Sequence, residues 1–396
     1  MNYMLLTLAL LLSLFVSSCS NMHKFQQKNN GVNQTLKVPI NYSLFSDIEK
    51  KHLNEEDIFF LSPEQQEELR LNFDEKIASG FAPHKALSEV LAERLANFTY
   101  YGETYDATTA IKLNKGNCMS LAILTTAYAK VLGLKISYRK VNTLPVFAKK
   151  DDIILSSSHV QTLIYDPNFI ADKNIFYLST PAVVIDYFPS TSHHTGKKFS
   201  LETFLSMYYK NIAADALTDK NLNKSFLYAN KAYQLDIENI ETINLLAVIH
   251  RRSGDLQTAE AIYKAGLDKG QTNISLLSNY IMLLKSQQRM DEVNALQDQL
   301  NQLDDPNPYQ WLGEAYTAQS IGNIKQAEIY FKKALVKAPY LNQAYMGLYK
   351  IYVKQNKLKK AQTMLVKALE WTYELDERKL YKYKLYNIEH NIAANH

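Results

Sequence analysis

Cysteine is scarce in this 396-residue chain, which holds two, Cys19 and Cys118, far apart in sequence. No cysteine cluster stands at zinc-ligand spacing, so a structural zinc knuckle is excluded. Glycine is thin too, with 12 residues, and none of them forms the closely spaced run that cradles a phosphate. His193 and His194 are adjacent in the polar stretch Ser190 to Lys198 but lack partners at ligand spacing, so neither a metal nor a cofactor is expected. The net charge is only +4, with its Lys and Arg excess towards the C-terminus, and no basic, aromatic surface argues for nucleic acid. No apolar run reaches the roughly 20 residues that a helix needs to cross a bilayer.

A shorter apolar run is present at the start. Met4 to Val16 (MLLTLALLLSLFV) has the length of a signal-peptide core, although Met1-Asn2-Tyr3 carries no Lys or Arg. It ends in Val16-Ser17-Ser18-Cys19, an aliphatic residue and two small ones before a cysteine, which resembles the bacterial lipobox. The resemblance implies a signal over 1–19, a lipid on Cys19 and membrane attachment through it. Ser20, where an aspartate is absent, implies the outer membrane, facing the periplasm. Residues 20–47 are rich in Asn, Gln and Lys and read as a flexible tether. With Cys19 acylated, Cys118 is a lone thiol in an oxidising compartment, and burial or catalysis must account for it.

The rest of the chain is 46% apolar with 27 tyrosines, a globular composition long enough for more than one domain. Residues 48–198 read as α+β. Helical spacing runs from Ile48 to about Leu95, and a loop covers Tyr100 to Asp106. A helix opens at Cys118 and stops at Gly133, and strands follow at 135–141, 160–165 and 182–187. From 199 to 370 no strand candidate remains. Small or aliphatic residues recur at Ser225, Ala259, Val293, Ala327 and Ala361, each 34 positions after the last. Seven residues beyond each stand Ala232, Gly266, Leu300, Ala334 and Ala368. This period resembles the tetratricopeptide repeat, five units with a degenerate third, and implies an all-α solenoid whose concave surface holds proteins or peptides. Residues 371–396, with alternating Tyr and Lys from Tyr381 to Tyr386, read as a C-terminal capping helix.

Gly116-Asn117-Cys118-Met119-Ser120 puts a thiol in the first turn of a helix, where free N–H groups and the helix dipole favour a thiolate and receive an oxyanion. His159 opens one strand and Asp186 closes the next, so antiparallel pairing of the two would set base beside acid. The run from Gly116 to Val141 with this order resembles the transglutaminase-like superfamily of papain-related cysteine enzymes, over roughly residues 70–190. That resemblance implies Cys118 as nucleophile, His159 as base and then acid, and Asp186 as the group that orients it, with Asp166 as a rival for the last role. The expected fold is therefore an α+β transglutaminase-like domain followed by an all-α repeat solenoid. The expected activity is an envelope-anchored cysteine peptidase or amidase, with acyl transfer to an amine as a variant. The alternative is an inert lipoprotein scaffold whose repeats mediate protein–protein interaction.

Overall fold

The computed structural model describes residues 37–45, 54–95, 98–100, 103–141, 146–150, 153–157, 160–172, 175, 180–187, 195–270, 273–301, 303, 307–372 and 375–394. Cys19 with the whole signal stretch, His159, and the pair His193 and His194 lie outside the described residues.

Helices open the α+β segment: α1 (Glu55–Phe59), α2 (Pro63–Ala78) and α3 (Pro83–Leu95). The break between the first two is local chemistry. Ser62 and Gln65 close a reciprocal capping box ahead of Pro63, whose missing N–H would be unpaired there in any case. Two short strands, β1 (Thr99–Tyr100) and β2 (Lys115–Gly116), pair in parallel around α4 (Ala107–Leu113), which Asp106 caps. Helix α5 (Cys118–Val131) follows and ends at Gly133, whose φ of +68° matches the expected stop.

Strands β3 (Ile136–Val141), β4 (Val146–Lys150), β5 (Ile153–Ser157), β6 (Val160–Tyr165), β7 (Ala182–Asp186) and β8 (Thr195–Phe199) complete the segment. The main sheet has the order β7-β6-β3-β8 and is antiparallel throughout, while β4 and β5 form a separate hairpin. One sequence reading is corrected here. The end of the polar stretch from Ser190, where no strand is expected, forms with Phe199 an edge strand on β3. Lys197 and Lys198 conceal its strand character, and charged residues of this kind are typical of exposed sheet edges.

Helix α5 lies on one face of this sheet. The Tyr138 hydroxyl stands 3.0 Å from that of Thr126, and Tyr187 donates to Thr162 at 2.8 Å. Helix α6 (Leu201–Thr218) belongs to the same core, because the Phe204 ring stacks on Tyr138 at 4.0 Å and Leu205, Tyr208 and Tyr209 are buried with it. The change of composition near residue 200 is therefore not a break in packing, since the first repeat helix closes the core of the sheet.

The array continues as α7 (Leu222–Leu235), α8 (Ile240–Arg252), α9 (Leu256–Asp268), α10 (Ile274–Ser286), α11 (Met290–Asn301), α12 (Pro308–Ser320), α13 (Ile324–Lys337), α14 (Asn342–Lys354), α15 (Leu358–Glu370) and α16 (Leu375–Ala394). Ser225, Ala259, Ala327 and Ala361 are fully buried and Val293 nearly so, as close helix approach requires. Between the two helices of each pair one residue takes a left-handed conformation: Lys220, Gly254, Gln288, Gly322 and Asn356, with φ from +55° to +89°. These too are 34 residues apart, so the backbone keeps the period where the side chains do not. Separate apolar cores run through the array, one reaching to Val293, the next beginning at Leu312, and a small one of Tyr345, Ala368 and Tyr381 at the end. Helix α16 covers the end with Tyr381 and Ile388. Among the described residues no helix is long and apolar enough to cross a membrane.

A second correction concerns the stretch read as a flexible tether to residue 47. Val38 to Phe45 is docked on α7 and α8, with Val38 buried and Phe45 stacked on Phe226 at 3.9 Å. Its Val, Ile and Phe are too few to show a period, yet they are enough to hold a short strap.

Candidate functional site

Cys118 is the first residue of α5 and is buried. Asn117 caps the helix, its side-chain oxygen accepting the Ser120 N–H at 3.1 Å. The Asn117 amide donates to Thr104 Oγ1 at 2.7 Å, and Tyr105 N–H donates to Ser120 Oγ at 2.9 Å. The stretch from Glu103 to Tyr105 thus lies across the start of the cysteine helix. It is fastened in turn to the first repeat helix, since Asp215 accepts the Thr104 N–H at 3.3 Å. Gly116 has no substitute here: at its φ of +156° an added Cβ would sit 2.5 Å from Ser120 Cβ.

The strands behave as the antiparallel reading required, with Gln161 opposite Asp186. Helix α5 runs back along β3, so Cys118, Val160 at the start of β6 and Asp186 at the end of β7 stand at one end of the sheet. Asp166, the rival acid, follows the other end of β6, roughly 17–20 Å away along the strand. There it approaches His84 of α3 at 3.5 Å. Asp166 is too far from the start of β6 to orient a residue there.

The faces of the sheet add a constraint. Alternation puts Tyr138, Thr162 and Tyr187 towards α5, and Arg139, Gln161 and Asp186 on the other face. On that face a relay forms. Arg139 donates through Nε and Nη2 to Gln161 Oε1 at 3.1 and 2.6 Å, and Gln161 Nε2 donates to Asp186 Oδ2 at 2.6 Å. The guanidinium polarises the amide, and the amide fixes one oxygen of the carboxylate. On the α5 face, burial pushes the Tyr187 phenol well above its usual range, against hydrogen bonds to Thr125 and Thr162. Sequence reading missed Arg139 and Gln161. The signal was available as polar residues at alternate positions in two strands that are otherwise apolar. A small hollow of about 150 Å³ is lined by Glu68, Arg94 and Tyr128. Tyr128 lies ten residues, roughly 15 Å, along α5 from Cys118, so this hollow is not a cleft for the thiol.

A second polar assembly lies on the first helices of the repeat pairs. Lys210 of α6 is ion-paired with Glu241 of α8. Next along, Asn279 of α10 donates to Asn244 of α8 at 3.1 Å, and Arg251 donates to the Met282 sulfur at 3.0 Å, with Met282 itself 53% exposed.

No family model and no curated protein sequence matches the chain. Solved structures similar to it include yeast Tom70 (19% identical, covering 49% of this chain and 42% of that one, TM-score 0.34). Pseudomonas aeruginosa PilF is 17% identical over 49% of this chain and 88% of its own, with a TM-score of 0.30. YrrB, described as a TPR protein with an unusual peptide-binding site, is 16% identical over 45% of this chain and 92% of its own, with a TM-score of 0.24. The repeat architecture rests on the helix pairs and their period, not on likenesses of this size.

Proposed function

We propose that the chain is a binding protein whose repeats hold an extended segment of a protein partner along α8 and α10. The observation that carries this reading is the pair Asn244 and Asn279 beside Arg251 and the exposed Met282. Their mutual hydrogen bond uses one oxygen and one amide nitrogen. It leaves the other partner of each carboxamide, a donor on Asn244 and an acceptor on Asn279, which is the combination that an extended backbone needs. Met282 supplies an adaptable apolar contact, and Arg251 favours an acidic residue in the bound segment. The test is a photo-crosslinking side chain at position 282, compared with one at the exposed position 294 on α11, in the full chain in its own cells. A discrete adduct at 282 that Asn244→Ala with Asn279→Ala abolishes supports the reading. Equal or absent labelling at the two positions sinks it. Lipid attachment at Cys19 and residence in a bacterial envelope belong to the same proposal. A radiolabelled fatty acid that enters the wild type but not Cys19→Ser supports that part.

A cysteine hydrolase using Cys118, His159 and Asp186 is the second reading. It is favoured by the gathering of Cys118, the start of β6 and Asp186 at one end of the sheet. The relay from Arg139 would hold the carboxylate ready to orient an imidazole. Asp186 and α5 occupy opposite faces, so this chemistry requires His159 to reach around the sheet end from the acid to the thiol. Rapid alkylation of Cys118 by iodoacetamide near neutral pH, lost in His159→Ala, is the expected result. A slow, ordinary thiol profile in both proteins removes the hydrolase and leaves the binding role.

A further inference from the structure

The strap from Val38 to Phe45 is held by few contacts, and one of them tolerates only one protonation state. Val38 N–H donates to the Tyr233 hydroxyl at 3.0 Å, and the Asn41 side chain donates to Asp255 Oδ2 at 2.8 Å. Phe45 stacks on Phe226, and both rings meet the His250 imidazole edge to face, at 5.3 and 5.8 Å. Tyr42 adds an edge-to-face contact with Phe226 at 5.8 Å and a hydroxyl that donates to Asn230 Oδ1 at 3.4 Å, and Asn41 N–H donates to His250 Nε2 at 3.3 Å. His250 is completely buried, and its Nδ1 lies 2.8 Å from the carbonyl of Leu246. A carbonyl only accepts, so Nδ1 carries the hydrogen, and Nε2 is the lone-pair nitrogen that receives the strap. Protonation would place a hydrogen on Nε2 facing the Asn41 N–H, two donors in opposition. It would also bury a cation between two apolar rings.

We infer that His250 is a proton-operated latch: the strap is docked while the imidazole is neutral and is released when it gains a proton. The surroundings of His250 admit few rival sources of pH dependence. The strap presents Asn41 and Phe45, and α7 presents Phe226 and the Tyr233 phenol. At the start of α9 stands Asp255. Burial pushes its carboxyl up, but hydrogen bonds from Thr258 and Asn41 hold it below its ordinary range, and a protonated His250 would lower it further. It therefore stays ionised through the histidine window. The titratable groups of α10 are Tyr280, bonded to Glu260, and the exposed Lys285, and beside His250 on α8 stand Arg251 and Arg252. Carboxylates, phenols, lysines and arginines ordinarily titrate outside pH 5.5 to 7.5, so a transition there belongs to the imidazole.

Amide hydrogen exchange of the full chain reads the latch directly. With intrinsic rates corrected for pH, protection of residues 38–45 should fall by up to about ten-fold from pH 7.5 to 5.5 in the wild type, the limit for one imidazole of ordinary pKa once released. His250→Gln keeps one donor and one acceptor without titrating, so its strap should hold equal protection at both values. Phe45→Ser should be open at both and marks the released state. Undiminished protection of the wild type at pH 5.5, or the same loss in His250→Gln, overturns the proposal. Nitrogen chemical shifts of His250 in the wild type give a check that needs no variant. Its protonation must coincide with loss of the Asn41 amide protection, and titration without release, or release without titration, refutes the latch.

Discussion

The sheet segment and the helical array solve the same problem, burying apolar surface, by opposite routes. In the sheet segment one helix does most of the work. Helix α5 is buried from Cys118 to Ala129, and α1, α2, α3, α4 and β6 all pack against it, with α6 closing the same core. In the array each helix pair leans on the next, and even the apolar core is divided at the third repeat, where Val293 is the buried contribution of α11 to its core. A hub transmits damage to everything it touches, whereas a row of neighbours confines it.

The sharpest way to break this contrast is Tyr138→Ala. Its ring stacks between Phe199 and Phe204, its hydroxyl meets Thr126, and burial pushes its phenol up to about 12. The loss should be about 3–5 kcal/mol. In urea titrations followed by hydrogen exchange, α5, β3 and α6 should lose protection together. Loss restricted to β3 would show that α5 is no hub.

Gly347→Ala is the matching test in the array. An added Cβ would meet the Phe331 ring at 2.3 Å, so α13 and α14 must part, at about 1–3 kcal/mol. Protection should fall between residues 312 and 388 while α5 keeps its own, and a single shared transition would erase the contrast.

Smaller is the effect at the seam of the second and third repeats. Hydrogen bonding from Arg289 draws the Glu260 carboxyl down to about 2, against the penalty of burial, with Lys264 and Tyr280 assisting. A depressed folded value stabilises the protein above the ordinary carboxylate value of 4.5, and the gain is lost as pH falls from there towards 2. Glu260→Gln should therefore flatten that part of the acid limb for α9 to α11 and leave α5 unchanged. A pH profile identical to wild type would remove the ion pair from the account.

The smallest effect is a gain. Gln288 has a φ of +61°, a conformation that costs a side chain about 1–2 kcal/mol, part of which glycine returns as lost flexibility. Gln288→Gly should raise the melting temperature of the third repeat by an amount worth less than about 1 kcal/mol. A fall would show that the Gln288 side chain contributes packing.

These sites also explain which parts of the molecule were legible beforehand. Ala259, Ala327 and Ala361 announced the array because helix packing admits only small residues there. Lys220, Gln288 and Asn356 did not, since a left-handed turn is a backbone state that glycine favours and other residues tolerate. The strands at 135–141, 160–165 and 182–187 declared themselves by Val, Ile and Tyr, and Gly133 by its place after a helix. The strand at 195–199 was concealed by its lysines, and the strap by the polar residues around it. At the candidate site, residue order predicted that β6 and β7 pair and that Cys118 opens a helix. It did not disclose that Asp186 turns away from α5, because face follows from register, and register is fixed by long-range pairing.

The strap also decides how the molecule bears a load. A pull on the chain ahead of Val38 reaches the fold through the Tyr233 hydroxyl, His250 and Asp255, on α7, α8 and the start of α9. Tension therefore enters at the first two repeats before the helix of Cys118 feels any strain.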